Sequence, residues 1–131
     1  MAVYTLGYTA PGSGQEVAQL MADPRMLLID IRFLPVSRWR PEWRKSALMV
    51  TYGSRYLHVR GLGNVNYRHR ERGIQLYAPE VSLYKLGQLM TCGYSLILLC
   101  ACREYASCHR RVVYDLLMQQ QRREGVVWGM N

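Results

Sequence analysis

The sequence predicts an α/β fold, a three-layer, mainly parallel sheet with helices on both faces in a Rossmann-like arrangement. Two runs carry that prediction, Arg25–Arg32 (RMLLIDIR) and Tyr94–Cys100 (YSLILLC). Each carries a continuous apolar run of strand length, the pattern of a strand covered on both faces rather than one. The third observation is order: strand-like and helix-like segments alternate along the chain, as parallel sheets with helical crossovers require.

The elements follow in sequence. Val3–Tyr8 (VYTLGY) reads as a first strand, and Gly12-Ser13-Gly14 leads into a helix over Gln15–Met21 with Ser13 as its cap. Asp23-Pro24 ends that helix before the strand at Arg25–Arg32. Phe33–Trp43, with Pro35 and Pro41, is a loop. A short helix over Glu42–Tyr52 ends at Gly53. Arg55–Val59 (RYLHV) is a third strand, and the Gly- and Arg-rich Gly61–Pro79 is loop. Val81–Thr91 is a helix with Gly93 beyond its end. After the strand at Tyr94–Cys100, Ser107 caps a long helix from Cys108 to Arg123, and Val126–Trp128 adds a short edge strand.

Residues 1–131 are expected to form one domain, since no repeat, low-complexity segment or linker divides them. Half of the residues are apolar, and a chain of this size buries roughly two-thirds of its unfolded surface, enough for an ordinary core. No apolar run approaches the ~20 residues of a membrane-spanning helix, so no membrane partner is expected. The N-terminus lacks the basic and apolar regions of a signal peptide, and a cytoplasmic location with reduced thiols follows as an expectation.

Seventeen Lys and Arg oppose nine Asp and Glu, for a formal charge of +8. All but Lys45 and Lys85 are arginine, whose planar fork grips phosphate bidentately and stacks on aromatic rings. The expected partner is therefore nucleic acid, DNA ahead of RNA, or a nucleotide. The bland alternative is a solvated basic surface.

Candidate chemistry concentrates where Asp30–Arg38 meets Cys100–Arg110, because sites of open parallel sheets lie at the carboxyl ends of strands. Cys100-Ala101-Cys102-Arg103-Glu104-Tyr105-Ala106-Ser107-Cys108-His109-Arg110 runs from strand through loop to helix start. A helix N-terminus favours anions and a thiolate at Cys108, while Arg103 and Arg110 add charge. Cys100, Cys108 and His109 are thus catalytic candidates. The same residues with Cys102 would make a Cys₃His zinc site, but C-x-C-x₅-C-H lacks the usual zinc knuckle, and no cofactor is expected. They would also serve as plain buried thiols, with His109 closing the turn. A thiol-phosphatase cradle is absent, since Ala106 and Cys108 stand where its arginine would be.

In the other segment, Asp30 at the end of a buried strand needs a partner, Arg32 or Arg110, and is either a structural ion or a catalytic carboxylate. Ser37, Arg38, Trp39 and Arg40 mix hydroxyl, cations and indole in the manner that tracks phosphates and stacks bases. Trp39 and Trp43 would instead share a packed helix face if that stretch were helical. Arg60–Arg70, with Gly61, Gly63 and Tyr67, reads as a basic lid or as a solvated loop.

These blocks, Thr5-Leu6-Gly7-Tyr8, Asp30-Ile31-Arg32 with Pro35 and Ser37-Arg38, Leu62-Gly63, and Leu99-Cys100-Ala101 with Cys108-His109-Arg110, occur in an order that resembles the family of domain of unknown function 488 (DUF488). The likeness covers about residues 3 to 120. Many members have Glu where this chain has Cys102, and Tyr8 stands where a His is often found. The resemblance implies an α/β fold and a bacterial or phage protein. Members often carry a loose DNA-repair label and have no settled activity.

The function expected from all this is a small enzyme acting on nucleic acid or a nucleotide. Its reaction would be hydrolysis of an N-glycosidic bond on damaged or modified bases. Arg32, Ser37, Arg38, Arg40, Arg103 and Arg110 would bind substrate and phosphate, Trp39 or Tyr67 would stack a base, and Asp30 would orient water or stabilise a cationic sugar. A thiol enzyme using Cys108 or Cys100, and a non-catalytic nucleic-acid-binding module, are the alternatives. The hydrolase reading places Asp30, Arg32, Arg38, Cys100 and Arg110 around one cleft.

Overall fold

In the computed structural model, which describes residues 1–123, four parallel strands form the sheet: β1 (Val3–Gly7), β2 (Met26–Asp30), β3 (Tyr56–His58) and β4 (Ser95–Cys100). Their order is β1-β4-β2-β3. The expected edge strand at Val126–Trp128 lies outside the described residues. Every pairing between these strands is parallel, so the sheet is α/β as predicted.

Four helices cover it: α1 (Ser13–Met21), α2 (Lys45–Tyr52), α3 (Pro79–Thr91) and α4 (His109–Arg123). Leu28, Ile97 and Leu99 face α1 and α2 and meet Val17, Met21 and Leu48. Leu27, Ile29, Leu96 and Leu98 face α3 and α4 and meet Leu86, Met90, Val113 and Leu117. Successive strand residues point to opposite faces, which is why β2 and β4 needed apolar side chains through Met26–Ile29 and Leu96–Cys100. Each fully buried Leu or Ile contributes roughly 1.5–3 kcal/mol, so these two strands dominate the core. Among the described residues, no helix is long and apolar enough to cross a membrane.

Local differences from the sequence reading have local causes. Ser13 does not cap α1; its hydroxyl donates to the Tyr8 carbonyl at 2.7 Å, pinning the helix start to the end of β1. The helix expected over Glu42–Tyr52 is broken at Arg44, which is extended (φ −73°, ψ 150°) between a 3₁₀ turn at Pro41–Trp43 and α2. Gly53 ends α2 at φ 58°. The last helix begins at His109. Before it, Tyr105–Ser107 form a 3₁₀ turn and Cys108 is extended (φ −94°, ψ 146°). Cys108 therefore precedes the helix instead of occupying its first turn, and Ser107 makes no side-chain cap.

Candidate functional site

The chain leaves β2 and β4 side by side, and a cavity of about 360 Å³ opens just beyond their carboxyl ends. Arg32, Phe33, Leu34 and Val36 follow β2 into one wall. Cys100, Ala101 and Cys102, leaving β4, form the floor together with Ser107 and His109. Asn64, Tyr67, Arg70, Gly73 and Ile74 supply the far wall. That volume falls within the roughly 300–1,000 Å³ of small-ligand sites, and the lining has their mixture of aromatic, aliphatic and a few polar groups.

The far wall belongs to the stretch read from sequence as a lid or a solvated loop. It is tied down. Asn64 Oδ1 accepts the backbone N–H groups of Asn66 and Gln75, both at 3.0 Å, and Asn64 bridges Leu76 across the turn. The glycines there serve this packing and not a ligand: a Cβ on Gly63 would stand 2.5 Å from Phe33 Cα, and one on Gly61 would meet Ser82 and the Ala78 carbonyl. Phe33 then contacts Tyr67 and Tyr77 at centroid distances of 6.1 and 5.5 Å, with the Arg60 guanidinium 4.3 Å over its ring.

Asp30 takes no part in the cavity, which corrects the single-cleft expectation. Its register partner is Leu99, so its side chain shares Leu99's face, towards α1 and α2, while Cys100 points towards α3 and α4. The carboxylate is fully buried and accepts from Arg32 three times, from the backbone N–H at 3.1 Å, Nε at 2.8 Å and Nη2 at 2.6 Å. The Tyr56 hydroxyl donates to it as well. Burial, with the negative charge of Asp30 behind it, pushes the Tyr56 pKa up and keeps that hydroxyl protonated. The bonds from Arg32 pair it with Asp30 and aim its guanidinium. Arg32 Nη2 also donates to the Trp43 carbonyl at 2.7 Å. The same residue's Nη1 is buried with no hydrogen-bond partner among the described residues.

The thiols form the densest cluster. The sulfurs of Cys100, Cys102 and Cys108 all lie within 4.8 Å of one another, with Cys100 and Cys102 3.8 Å apart. His109 Nδ1 is 3.6 Å from Cys100 Sγ and 3.9 Å from Cys108 Sγ, while its Nε2 meets the Ile31 carbonyl at 2.7 Å. Arg110, expected to bind phosphate, is committed here instead. Its Nε and backbone N–H donate to Cys108 Sγ at 3.3 and 3.5 Å, and Nη2 donates to the Cys102 carbonyl at 3.2 Å.

Hydrogen bonds from the Cys100 and Cys102 thiols lower the pKa of Cys108 against the cost of burial, with His109 and the Arg110 backbone assisting. Cys100 is pulled down by its bond with Cys102, but its bond with Cys108 and burial outweigh that and push it up to about 12. Hydrogen bonds with Cys100 and Cys108, then burial, raise Cys102. For His109 burial works downward, and the hydrogen bonds to Cys108 and the Ile31 carbonyl more than reverse it. Charge therefore gathers on Cys108, which is only 1% exposed and is not among the cavity-lining residues. The thiol whose anion these contacts favour is thus the one outside the cavity, while those lining it, Cys100 and Cys102, are shifted the other way.

The remaining predicted residues scatter. Arg38, Trp39 and Arg40 are exposed outside the cavity, Trp39 at 83% with the Arg38 guanidinium 5.1 Å over its ring. Trp43 does not share a face with Trp39. It is buried and stacks on Tyr8 at 5.1 Å. Arg40 donates to the Tyr8 carbonyl at 2.9 Å. Ser37 is buried, its carbonyl accepts from Arg44 at 2.9 Å, and it lies outside this cavity, beside Arg38, Arg44 and Lys45. Arg103 is exposed on the loop after β4. Phe33, Asn64 and Arg70, which sequence reasoning gave no role, line the cavity; Arg70 carried a signal, as the end of a basic stretch containing Tyr67.

The model of the family described as Domain of unknown function DUF488 matches residues 15–117. That span takes in β2, β4, the cavity and the thiol cluster. No curated protein and no solved structure matches the chain.

Proposed function

The chain belongs to the DUF488 family, and from that footing we propose that it binds nucleic acid, DNA before RNA, by taking one nucleotide into the cavity beyond β2 and β4. The observation that carries the reading is the lining itself. Arg32 and Arg70 stand among Phe33, Tyr67 and Ile74 in a space of about 360 Å³. A base needs an aromatic face to stack on, and its phosphate needs a guanidinium donor. Tyr67 supplies the first, and Arg32, with one N–H-bearing nitrogen unpartnered, supplies the second. Outside the cavity, exposed Trp39 with Arg38 extends the same chemistry over the surface, and the formal charge of +8 attracts the backbone.

The reading is of binding. Hydrolysis of a glycosidic bond would call for a carboxylate at the sugar. No Asp or Glu is among the cavity-lining residues, and Asp30 faces the other side of the sheet.

Fluorescence anisotropy with a labelled oligonucleotide tests this. Affinity is expected to fall with salt, with a log–log slope of about 0.7–0.9 per phosphate neutralised. Tyr67→Ala is expected to weaken binding by about 1–3 kcal/mol, the value of one stacked base. Glu104→Gln, on the exposed loop after β4, should leave it unchanged. No binding at low salt would overturn the reading and favour a small uncharged ligand; full affinity in Tyr67→Ala would overturn it by placing the binding outside the cavity.

A further inference from the structure

We propose that Cys100, Cys102, Cys108 and His109 together hold one zinc ion. The proposal is independent of the nucleic-acid reading and rests on the spacing and surroundings of the four donors. Tetrahedral zinc with Zn–S near 2.3 Å and Zn–N near 2.0–2.1 Å requires ligand separations of roughly 3.8 Å for S···S and roughly 3.6 Å for S···N. The chain already provides 3.8 Å between Cys100 and Cys102 and 3.6 Å and 3.9 Å from His109 Nδ1 to Cys100 and Cys108, with all three sulfurs mutually within 4.8 Å. His109 is not part of that mutually close set, so zinc binding must draw its Nδ1 towards Cys102. The objection from sequence was the missing zinc knuckle. A strand end, a loop and a helix start bring the donors together without one.

The surroundings are those of a metal site. Nε2 of His109 carries its proton towards the Ile31 carbonyl at 2.7 Å, which fixes the tautomer and leaves Nδ1 as the donor facing the thiols. Two N–H groups of Arg110 point at Cys108 Sγ, a poor acceptor as a thiol and a good one as a metal-bound thiolate. Three thiolates and a neutral imidazole around Zn²⁺ carry one net negative charge. Arg110 offsets it, and Arg70, with Nη2 3.9 Å from Cys102 Sγ, lies beside it. Loading balances by proton release. Three thiols and a neutral imidazole carry three dissociable thiol protons, and one zinc ion displaces all three. Sulfur-rich donors with a single imidazole favour zinc over magnesium or calcium. With four protein ligands the site is closed. It fastens the loop that forms the cavity floor and does no chemistry on a ligand.

The test uses the full chain, expressed with zinc and dialysed against metal-free buffer. Elemental analysis with native mass spectrometry should find one zinc per chain. Stripping it with a chelator should lower the melting temperature, and zinc chloride should restore it. Cobalt exchanged into the site should show sulfur-to-cobalt charge-transfer absorption. Cys102→Ser, at a half-buried position, and Cys108→Ser should lose both the zinc and that band, while Cys92→Ser, at an exposed position, keeps them. Arg110→Met should raise the zinc Kd by about 10–100-fold, the usual cost of losing a ligand's supporting partner. Should Cys108→Ser not fold, Cys102→Ser decides the matter. A chain that neither contains nor takes up stoichiometric zinc would overturn the proposal. So would zinc retained equally by Cys102→Ser and Cys92→Ser, or a disulfide within the cluster.

Discussion

Asp30→Asn is expected to cost about 3–5 kcal/mol of stability, because it leaves the Arg32 guanidinium buried without its counter-charge. Arg32 is only 5% exposed, and the ion pair at 2.6 Å is accompanied by two further hydrogen bonds between the same residues. Asparagine can keep one or two of those bonds but not the charge. Against a typical total of about 5–15 kcal/mol, such a loss brings the folded state close to its limit. It should lower the melting temperature by roughly 10–20 °C. Urea denaturation monitored by circular dichroism measures it. The double variant Asp30→Leu with Arg32→Met removes both charges and should recover much of the loss, since replacing a whole buried pair is often near neutral. A loss under about 1 kcal/mol in Asp30→Asn, the range of exposed pairs, would show that the pair is not the anchor of this strand end.

That result would also explain why the sequence misplaced Asp30. The strands themselves were legible. MLLI and LILLC, at Met26–Ile29 and Leu96–Cys100, are apolar at every position, which only a doubly covered strand requires, and they became the two central strands. The same uniformity hides parity. In a half-exposed strand, alternation shows which residues face inward. In β2 and β4 both faces are apolar, so nothing in the sequence says whether Asp30 points with Cys100 or away from it. The register, Asp30 opposite Leu99 and Gly7 opposite Cys100, decides it, and register is a property of the assembled sheet. The thiol cluster was legible for the opposite reason. Its members lie within nine residues of one another, so a strand end and one turn bring them together. The cavity's far wall was not legible, because its order depends on Asn64 and on Gly63 meeting Phe33 across about thirty residues of chain.

The floor of the cavity is strapped to β1, and the strap has a weak point at Gly7. Tyr8 N–H donates to the Cys100 carbonyl at 3.0 Å, and the Thr9 hydroxyl donates to the Ala101 carbonyl at 2.7 Å. The Cys102 carbonyl is held by Arg110 Nη2 at 3.2 Å and folds directly over Gly7. A Cβ on Gly7 would stand 1.7 Å from that carbonyl oxygen and 2.8 Å from its carbon. These are backbone atoms and no rotamer change relieves the clash, so Gly7→Ala must push Cys102 off its place. The expected cost is about 3 kcal/mol, the upper end for overpacking a fitted interior. The displacement also breaks the bond to Arg110 and separates Cys102 from Cys100, so the effect should be local as well as global. Native-state alkylation mapped by mass spectrometry should show Cys102 labelled at least about tenfold faster relative to exposed Cys92, the factor expected when local opening becomes ~1.4 kcal/mol easier. Gly14→Ala is the control. Gly14 lies in α1 with nothing within 4 Å of the added carbon, and alanine in a helix is worth about 0.5–1 kcal/mol over glycine. It should be neutral or stabilising, with labelling unchanged. If Gly7→Ala behaves like Gly14→Ala on both measurements, then the close approach of the Cys102 carbonyl to β1 does not hold the thiol cluster together.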